Sequence, residues 1–229
     1  MQPSTSFLGL VLLVSSPLTA ACGGEDPAPD PWDSRTYLLE VPKTNWSEPT
    51  GIGDEIGDFV PTFMFTMENA GGSSYDVTMG AADDTGEQNP CNPTSSLEAT
   101  AMPAPGVEIG PGEVPVHIEH ITEDVTVNAT IHDFTLVDVL PTGGVAAEEG
   151  ELTATMDLRE LYPLLTLLVS PTPETSCAAL EQFGAPCEAC PTDGEVYCLS
   201  VKAVRLGATE VEGSVEPIDP GDVDPSCDE

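Results

Sequence analysis

The stretch Val114–Ile131, VPVHIEHIT-ED-VTVNATI, decides the fold. Apolar and polar side chains alternate on both sides of Glu123-Asp124, with Val114, Val116 and Ile118 in the first run and Val125, Val127, Ala129 and Ile131 in the second. A period of two places successive side chains on opposite faces of a strand, so each run reads as a half-buried β-strand. With Glu123-Asp124 as a two-residue turn, counting outward pairs Val116 with Ile131, Ile118 with Ala129 and His120 with Val127. That face belongs in the core, because a one-residue slip would expose all of it. The second strand continues through Phe134 to Leu140. Its apolar positions change from odd to even near His132-Asp133, the mark of a β-bulge.

Similar signals flank the hairpin. Tyr37, Leu39 and Val41 alternate, as do Phe63, Phe65 and Met67 within Phe59–Glu68, where Pro61 confines the start to an edge or a strand end. Tyr75–Ala81, Leu97–Met102, the run holding Leu152, Ala154 and Met156, Glu195–Leu206 and Thr209–Val215 complete the predicted strands. Asn45–Asp58, Asp83–Gly86, Pro103–Gly112 and Gly143-Gly144 read as turns or loops. Asp157 and Glu160 form a capping-box pattern before Leu158, Leu161, Leu164, Leu165 and Leu168, which predicts a helix that Pro163 kinks or shortens. Thr172-Pro173 starts a second helix, which ends at Gly184. Strands outnumber helices and their connections permit antiparallel pairing. The expected fold is mainly β: an antiparallel β-sandwich or half-open barrel with a small disulfide-bound helical insert.

The charge is extreme, with 40 acidic residues against five basic ones and a net of −35. Nucleic acid is excluded as a partner, because phosphate binding needs Lys and Arg. Direct attraction to anionic headgroups is excluded for the same reason. The acidity reads first as a solvated, self-repelling surface like that of proteins from saline habitats. Asp54-Glu55, Asp83-Asp84 and Asp222-Val223-Asp224 are sites for at most a weakly bound divalent cation, since none has EF-hand spacing. No cofactor is expected otherwise.

Six cysteines follow Cys22: Cys91, Cys177, Cys187, Cys190, Cys198 and Cys227. An even set in an exported chain reads as three disulfides. The four from Cys177 to Cys198 are expected to pair among themselves, leaving Cys91 for Cys227 and tying the acidic tail to the body. Two alternatives stay open for Cys187-Glu188-Ala189-Cys190. One is a zinc thiolate cluster, which would be better supported by a second short pair. The other is a redox pair, which would need a helix where Pro186 and Pro191 instead bracket a loop.

All three histidines lie between His117 and His132. The expected register puts His120 on the core face. His117, Glu119, Asn128 and His132 share the outer face, with His117 opposite Thr130 and diagonal to His132. Diagonal neighbours lie about 7–8 Å apart, so His117, Glu119 and His132 form a candidate metal-ligating set. The alternative is a polar stripe on a half-exposed sheet. No nucleophile elbow or phosphate-cradling loop is present, so no catalytic residue is assigned.

The first residues bear on location. Phe7–Val14 is apolar but too short to span a bilayer, which needs about 20 residues, and suits the apolar core of a signal peptide. Leu18-Thr19-Ala20-Ala21-Cys22 resembles the lipobox of bacterial lipoproteins. The resemblance implies that residues 1–21 are a removed signal peptide, that Cys22 carries lipid, and that Gly23 after it favours sorting to an outer membrane. An ordinary signal peptide cut near Ala20 or Ala21, with the product periplasmic or secreted, is the alternative. Cys22-Gly23-Gly24 with its acidic tether, Asp157-Leu158-Arg159-Glu160-Leu161 and Cys187-Glu188-Ala189-Cys190-Pro191 also resemble acidic, cysteine-containing lipoproteins of myxobacteria, a likeness that implies a compartment and no activity.

The expected organisation is a signal peptide (1–21), a lipidated cysteine with a flexible acidic tether (22–34), a β-rich domain (35–217) holding a helical, Cys-rich insert (157–198), and an acidic tail (218–229). The expected function is that of a membrane-anchored, exported lipoprotein of the cell envelope, a non-catalytic binding or structural protein whose protein or envelope partner the sequence does not name. A metal-dependent hydrolase using His117, Glu119 and His132 is the alternative.

Overall fold

The structure, a computed structural model, describes residues 30, 32–39, 41, 44–49, 57, 60–83, 85–102, 106–122, 125–139, 141–142, 150–163, 172–223 and 227. Outside them lie Cys22 and the signal segment, Asp54-Glu55, Asp84, the Glu123-Asp124 turn, Gly143-Gly144, Leu164–Leu168 and Asp224.

The strands are β1 (Arg35–Leu39), β2 (Asn45–Glu48), β3 (Thr62–Gly71), β4 (Ser74–Ala82), β5 (Ser95–Ala101), β6 (Val107–Thr122), β7 (Val125–Val139), β8 (Pro141–Thr142), β9 (Gly150–Asp157), β10 (Glu188–Ala189), β11 (Val196–Leu206) and β12 (Ala208–Val211). One helix follows the expected N-cap, α1 (Pro173–Gln182). Thr172 and Thr175 bond reciprocally at its start, Pro173 opens it, and Gly184 takes φ +83° just past its end.

All twelve described strands join one sheet, curled into a half-open barrel. From β1 the antiparallel neighbours run β3, β4, β5, β6, β7, β9 and β11. Only Gly207 separates β11 from β12, and β12 pairs with β1, so the succession returns to its start. β2 continues the line of β1 along β11. Between these two pairings the ladder is open, and Arg205 there takes φ +66°. The curl comes from bulges, since β6 and β7 shift register four times along their length. Gly110 allows one of these bends, with φ +94° and Phe134 O only 2.3 Å from where a Cβ would sit.

The hairpin reading is corrected in one respect. Thr122 pairs with Val125 as expected, but Ile118 pairs with Val127, Val116 with Ala129 and Val114 with Ile131. The extra residues sit in β6 between Ile118 and Thr122. An offset of two leaves every side chain on its own face, so the inward pattern survives. Val114, Val116, Val127, Ala129 and Ile131 are buried together. The bulge expected at His132-Asp133 is present: β7 shifts against β9 between His132 and Thr135, Asp133 takes φ +50°, and inward packing resumes at Phe134 and Leu136.

The main core cluster draws on nearly every strand, and Met64, Ala82 and Val215 form a second, smaller one. Tyr37, Leu39, Phe63, Phe65 and Met67 are fully buried, and Phe63 meets Phe134 edge-on with centroids 5.6 Å apart. Each such side chain contributes about 1.5–3 kcal/mol on leaving water.

Other expectations fail locally. Pro103–Gly112 is not wholly loop, because Val107 and Ile109 alternate inward and begin β6. The turn-rich stretch after Asn45 contains β2, whose Trp46 is buried and pairs with Ala203. At Asp157 the chain first turns, and helical backbone begins only at Tyr162-Pro163, the last described residues of this stretch, rather than directly after Asp157. Asp157 Oδ1 accepts from Arg159 N–H at 2.9 Å, while Glu160 Oε2 accepts from Thr130 N–H at 2.6 Å instead of closing a capping box. Thr130 lies just beyond the end of the β7–β9 ladder, so its donor needs that partner.

The folded body also begins before residue 35. Trp32 is buried against Tyr37, and Asp30 Oδ2 accepts from Tyr75 Oη at 2.7 Å. Burial and the Asp30 carboxylate push the Tyr75 hydroxyl up to about 12. Three disulfides join Cys91 to Cys227, Cys177 to Cys187 and Cys190 to Cys198. The tail lies along the body, where Thr94 and Ile218 exchange hydrogen bonds and Gln88 brackets Glu216. No described helix is long and apolar enough to cross a membrane.

Candidate functional site

The histidines divide between two surroundings. β5 pairs with β6 only through Ala99–Ala101, so the edge of β6 beyond Ile109 lacks a strand partner on that side. Side chains fill the gap. Ser95 Oγ donates to Glu113 O at 2.7 Å, and Asn92 takes the His117 N–H at 2.5 Å while donating to His117 O at 3.2 Å. His117 sits opposite Asn128, not Thr130, and its Nδ1 meets Asn128 Oδ1 at 2.6 Å. It is buried, 6% exposed, rather than half-exposed as expected. The two asparagines give it a structural setting beneath the loop that Cys91 ties down.

His132 lies elsewhere, on β7 opposite Thr155 of β9. The β6–β7 shift between Gly112 and Val114 brings Glu113 beside it, and His132 Nδ1 lies 3.1 Å from Glu113 Oε1. The histidine side chain is 7% exposed and the glutamate 69%. Both line a cleft of about 220 Å³ with Pro111, Gly112, Asp133, Pro191 and Thr192. One wall is therefore the paired bulge and the other is the cysteine loop.

Chemistry at the base of that loop keeps the second wall in place. The Cys190–Cys198 disulfide closes it, and Cys190 N–H donates to Glu195 O at 2.8 Å. Arg159 grips Asp157 through Nε and Nη2, reaches Asp193 at 2.7 Å and lies 5.2 Å from the Tyr197 ring centroid. Burial opposes ionisation of Asp157, yet the Arg159 bonds outweigh it and hold the carboxyl below its ordinary value. The same guanidinium lowers Asp193. Asp157, Cys190 and Cys198 place their ligand atoms within 4.8 Å of one another, but both sulfurs are committed to the disulfide.

Of the expected metal set, His132 lines the cleft and His117 does not, while the side chain of Glu119 lies outside the described residues, as does that of His120. No three-ligand group among the described residues includes either described histidine. Glu113 and Thr192 went unnoticed in sequence, while Asp133 and Pro191 were noted only for a bulge and a loop. The signals that pointed toward them were the change of apolar phase at His132-Asp133 and the prolines that bracket the cysteine loop. The chain matches no family model, no curated protein and no solved structure, so its fold and cleft are characterised by their own geometry.

Proposed function

We propose that this protein is an exported lipoprotein of the outer membrane or cell surface, anchored through Cys22, whose β domain serves as a binding or structural component of the envelope. The observation that carries the reading is the cysteine pairing. Six of the seven cysteines form three disulfides within the body, which suits an oxidising, exported environment and leaves Cys22, within the lipobox-like segment, for lipid. Several acyl chains on one residue would hold stably, since each buried CH₂ contributes about 0.8 kcal/mol. With a net charge of −35, the anchor must supply the membrane attachment that basic residues supply elsewhere.

Mass spectrometry of the mature amino terminus tests this directly. The expected product begins at Cys22 with a diacylglyceryl thioether, and Cys22→Ala leaves the membrane fraction. A mature chain with an unmodified Cys22, or one still carrying residues 1–21, overturns the proposal.

A further inference from the structure

We propose that the outer face of β1, β3 and β4 is a docking groove for an extended segment of a partner protein, one with a β-branched aliphatic residue flanked by basic side chains. The chain's own residues 213–218 fill this groove, and the Cys91–Cys227 bond holds them there. The inference goes beyond the anchored-lipoprotein reading and does not depend on it. Strand alternation points Tyr37, Phe63 and Phe65 into the core and leaves Thr36, Leu38, Met64 and Thr66 on the opposite face. The tail crosses that face. Thr36 Oγ1 donates to Gly213 O at 2.7 Å, and Thr66 Oγ1 accepts from Val215 N–H at 2.8 Å. Further along, the Gln88 side-chain amide accepts the Glu216 N–H at 2.8 Å and donates to Glu216 O at 2.7 Å, while Thr94 bonds both backbone groups of Ile218. Residues 213–218 belong to no named strand, so the body grips their backbone chiefly through side chains. Bonds to backbone accept any extended chain, and a side-chain pocket selects among them, as in other extended-peptide sites. The pocket here takes Val215, which is 5% exposed against Met64 and Ala82 with Leu38 beside them, while Ser214, Glu216 and Pro217 are exposed.

The segment is built to be replaced. Gly213, at φ +106°, joins it to the sheet, and its bonds to Gln88 are exposed to water, so little besides Val215 and the disulfide retains it. Cys91 and Cys227 are half-buried, unlike the buried Cys190–Cys198 pair, so a soluble dithiol reaches them. Exchange oxidises that dithiol to its disulfide, while each cysteine sulfur takes up one electron and one proton. The freed tail still rebinds at an effective concentration on the order of millimolar, so a partner must bind better than the tail does. Charge supplies the difference. Glu212, Glu216, Asp219 and Asp222 of the tail form no ion pair among the described residues, and they lie on a body whose chain carries a net charge of −35. A segment with basic side chains in their place makes the same backbone bonds and meets opposite charge instead of like charge.

The test is fluorescence anisotropy with two labelled peptides, one of residues 213–219 and one of the same residues carrying Glu216→Lys and Asp219→Lys. The oxidised, unaltered full chain should bind neither. The Cys91→Ser/Cys227→Ser chain should bind the lysine peptide saturably and about tenfold or more tightly than the acidic one, by a margin that shrinks as salt is raised. Adding Val215→Ser to the lysine peptide keeps its charge and should weaken binding about tenfold, because the pocket is then left unfilled. A full chain with all its disulfides and Val215→Asp expels its own anchor and should bind the lysine peptide too, which keeps the test decisive if the paired serine variant does not fold. No saturable binding to either variant, equal binding of the Val215→Ser peptide, or equal binding to the unaltered oxidised chain would each overturn the proposal. The result is the same whether or not Cys22 carries lipid.

Discussion

Removing the Cys91–Cys227 disulfide should be the most damaging of the three disulfide deletions, although this bond involves no cysteine of the Cys-rich insert. It spans 136 residues, whereas Cys177–Cys187 spans 10 and Cys190–Cys198 spans 8. In the chain-entropy model a crosslink restricts the unfolded ensemble by an amount that grows with the logarithm of the loop. The long loop corresponds to about 5 kcal/mol at 25 °C and the ten-residue loop to about 2.7 kcal/mol. The native state should change little, because Thr94, Ile218, Gln88 and Glu216 hold the tail by hydrogen bonds of their own. The paired variant Cys91→Ser/Cys227→Ser and the paired variant Cys177→Ser/Cys187→Ser would be unfolded in urea and followed by circular dichroism. With a slope of about 2 kcal/mol/M, the first midpoint should fall by about 2.5 M and the second by about 1.3 M. A first midpoint that falls no further than the second would refute the assignment of this bond to unfolded-state restriction. A changed native spectrum would do so as well, by showing that the bond shapes the fold itself.

Three further outcomes follow from individual contacts. Asn92→Ala strips two hydrogen bonds from the buried backbone of His117 and should cost about 2–3 kcal/mol in urea unfolding, against a smaller loss for Asn69→Ala, whose side-chain bonds to Gly71 and Asp30 are exposed to water. Gly110→Ala forces a side chain into φ +94° and toward Phe134 O, and should lower stability by about 2 kcal/mol or more; a neutral result would mean that the bulge relaxes freely. Asp157 is held below its ordinary carboxyl value, so its stabilising contribution is complete above about pH 4 and is lost as pH falls through the lowered folded-state value. Asp157→Asn should therefore be less stable at pH 7 by about 2 kcal/mol and should lose less on acidification from pH 5 to pH 2 than the unaltered chain; parallel acid profiles for the two would count against the Arg159 pairing as the cause.

Alternation made most of the sheet legible before any coordinates. Phe63, Phe65 and Met67, or Leu152, Ala154 and Met156, name their inward face because a strand has a period of two. The bulge at His132-Asp133 was legible for the same reason, since only an inserted residue moves the inward face from Ile131 to Phe134. Cysteine clustering likewise anticipated the Cys91–Cys227 bond and the pairing of the other four among themselves, but not which of those four join. The offset within the β6–β7 hairpin was not legible. A slip of two residues leaves the hydrophobic pattern unchanged, so alternation cannot register it. That slip nevertheless decides the site, because it sets His117 opposite Asn128, and the further shift at Gly112 sets Glu113 beside His132. The corner at Asp157 was misread for a different reason. Asp157 and Glu160 satisfy a capping pattern in sequence, but Thr130 N–H and Arg159 compete for those carboxylates across strands that are distant in the chain.

The sequence by itself determined the strand faces, the acidic character, and an even set of six cysteines in the body, because each depends on composition or on near neighbours along the chain. Only the tertiary structure decided which polar side chains meet. The cleft brings together Glu113, His132 and the Pro191-Thr192 loop, segments joined by strand offsets and a disulfide-closed turn whose positions local periodicity leaves free.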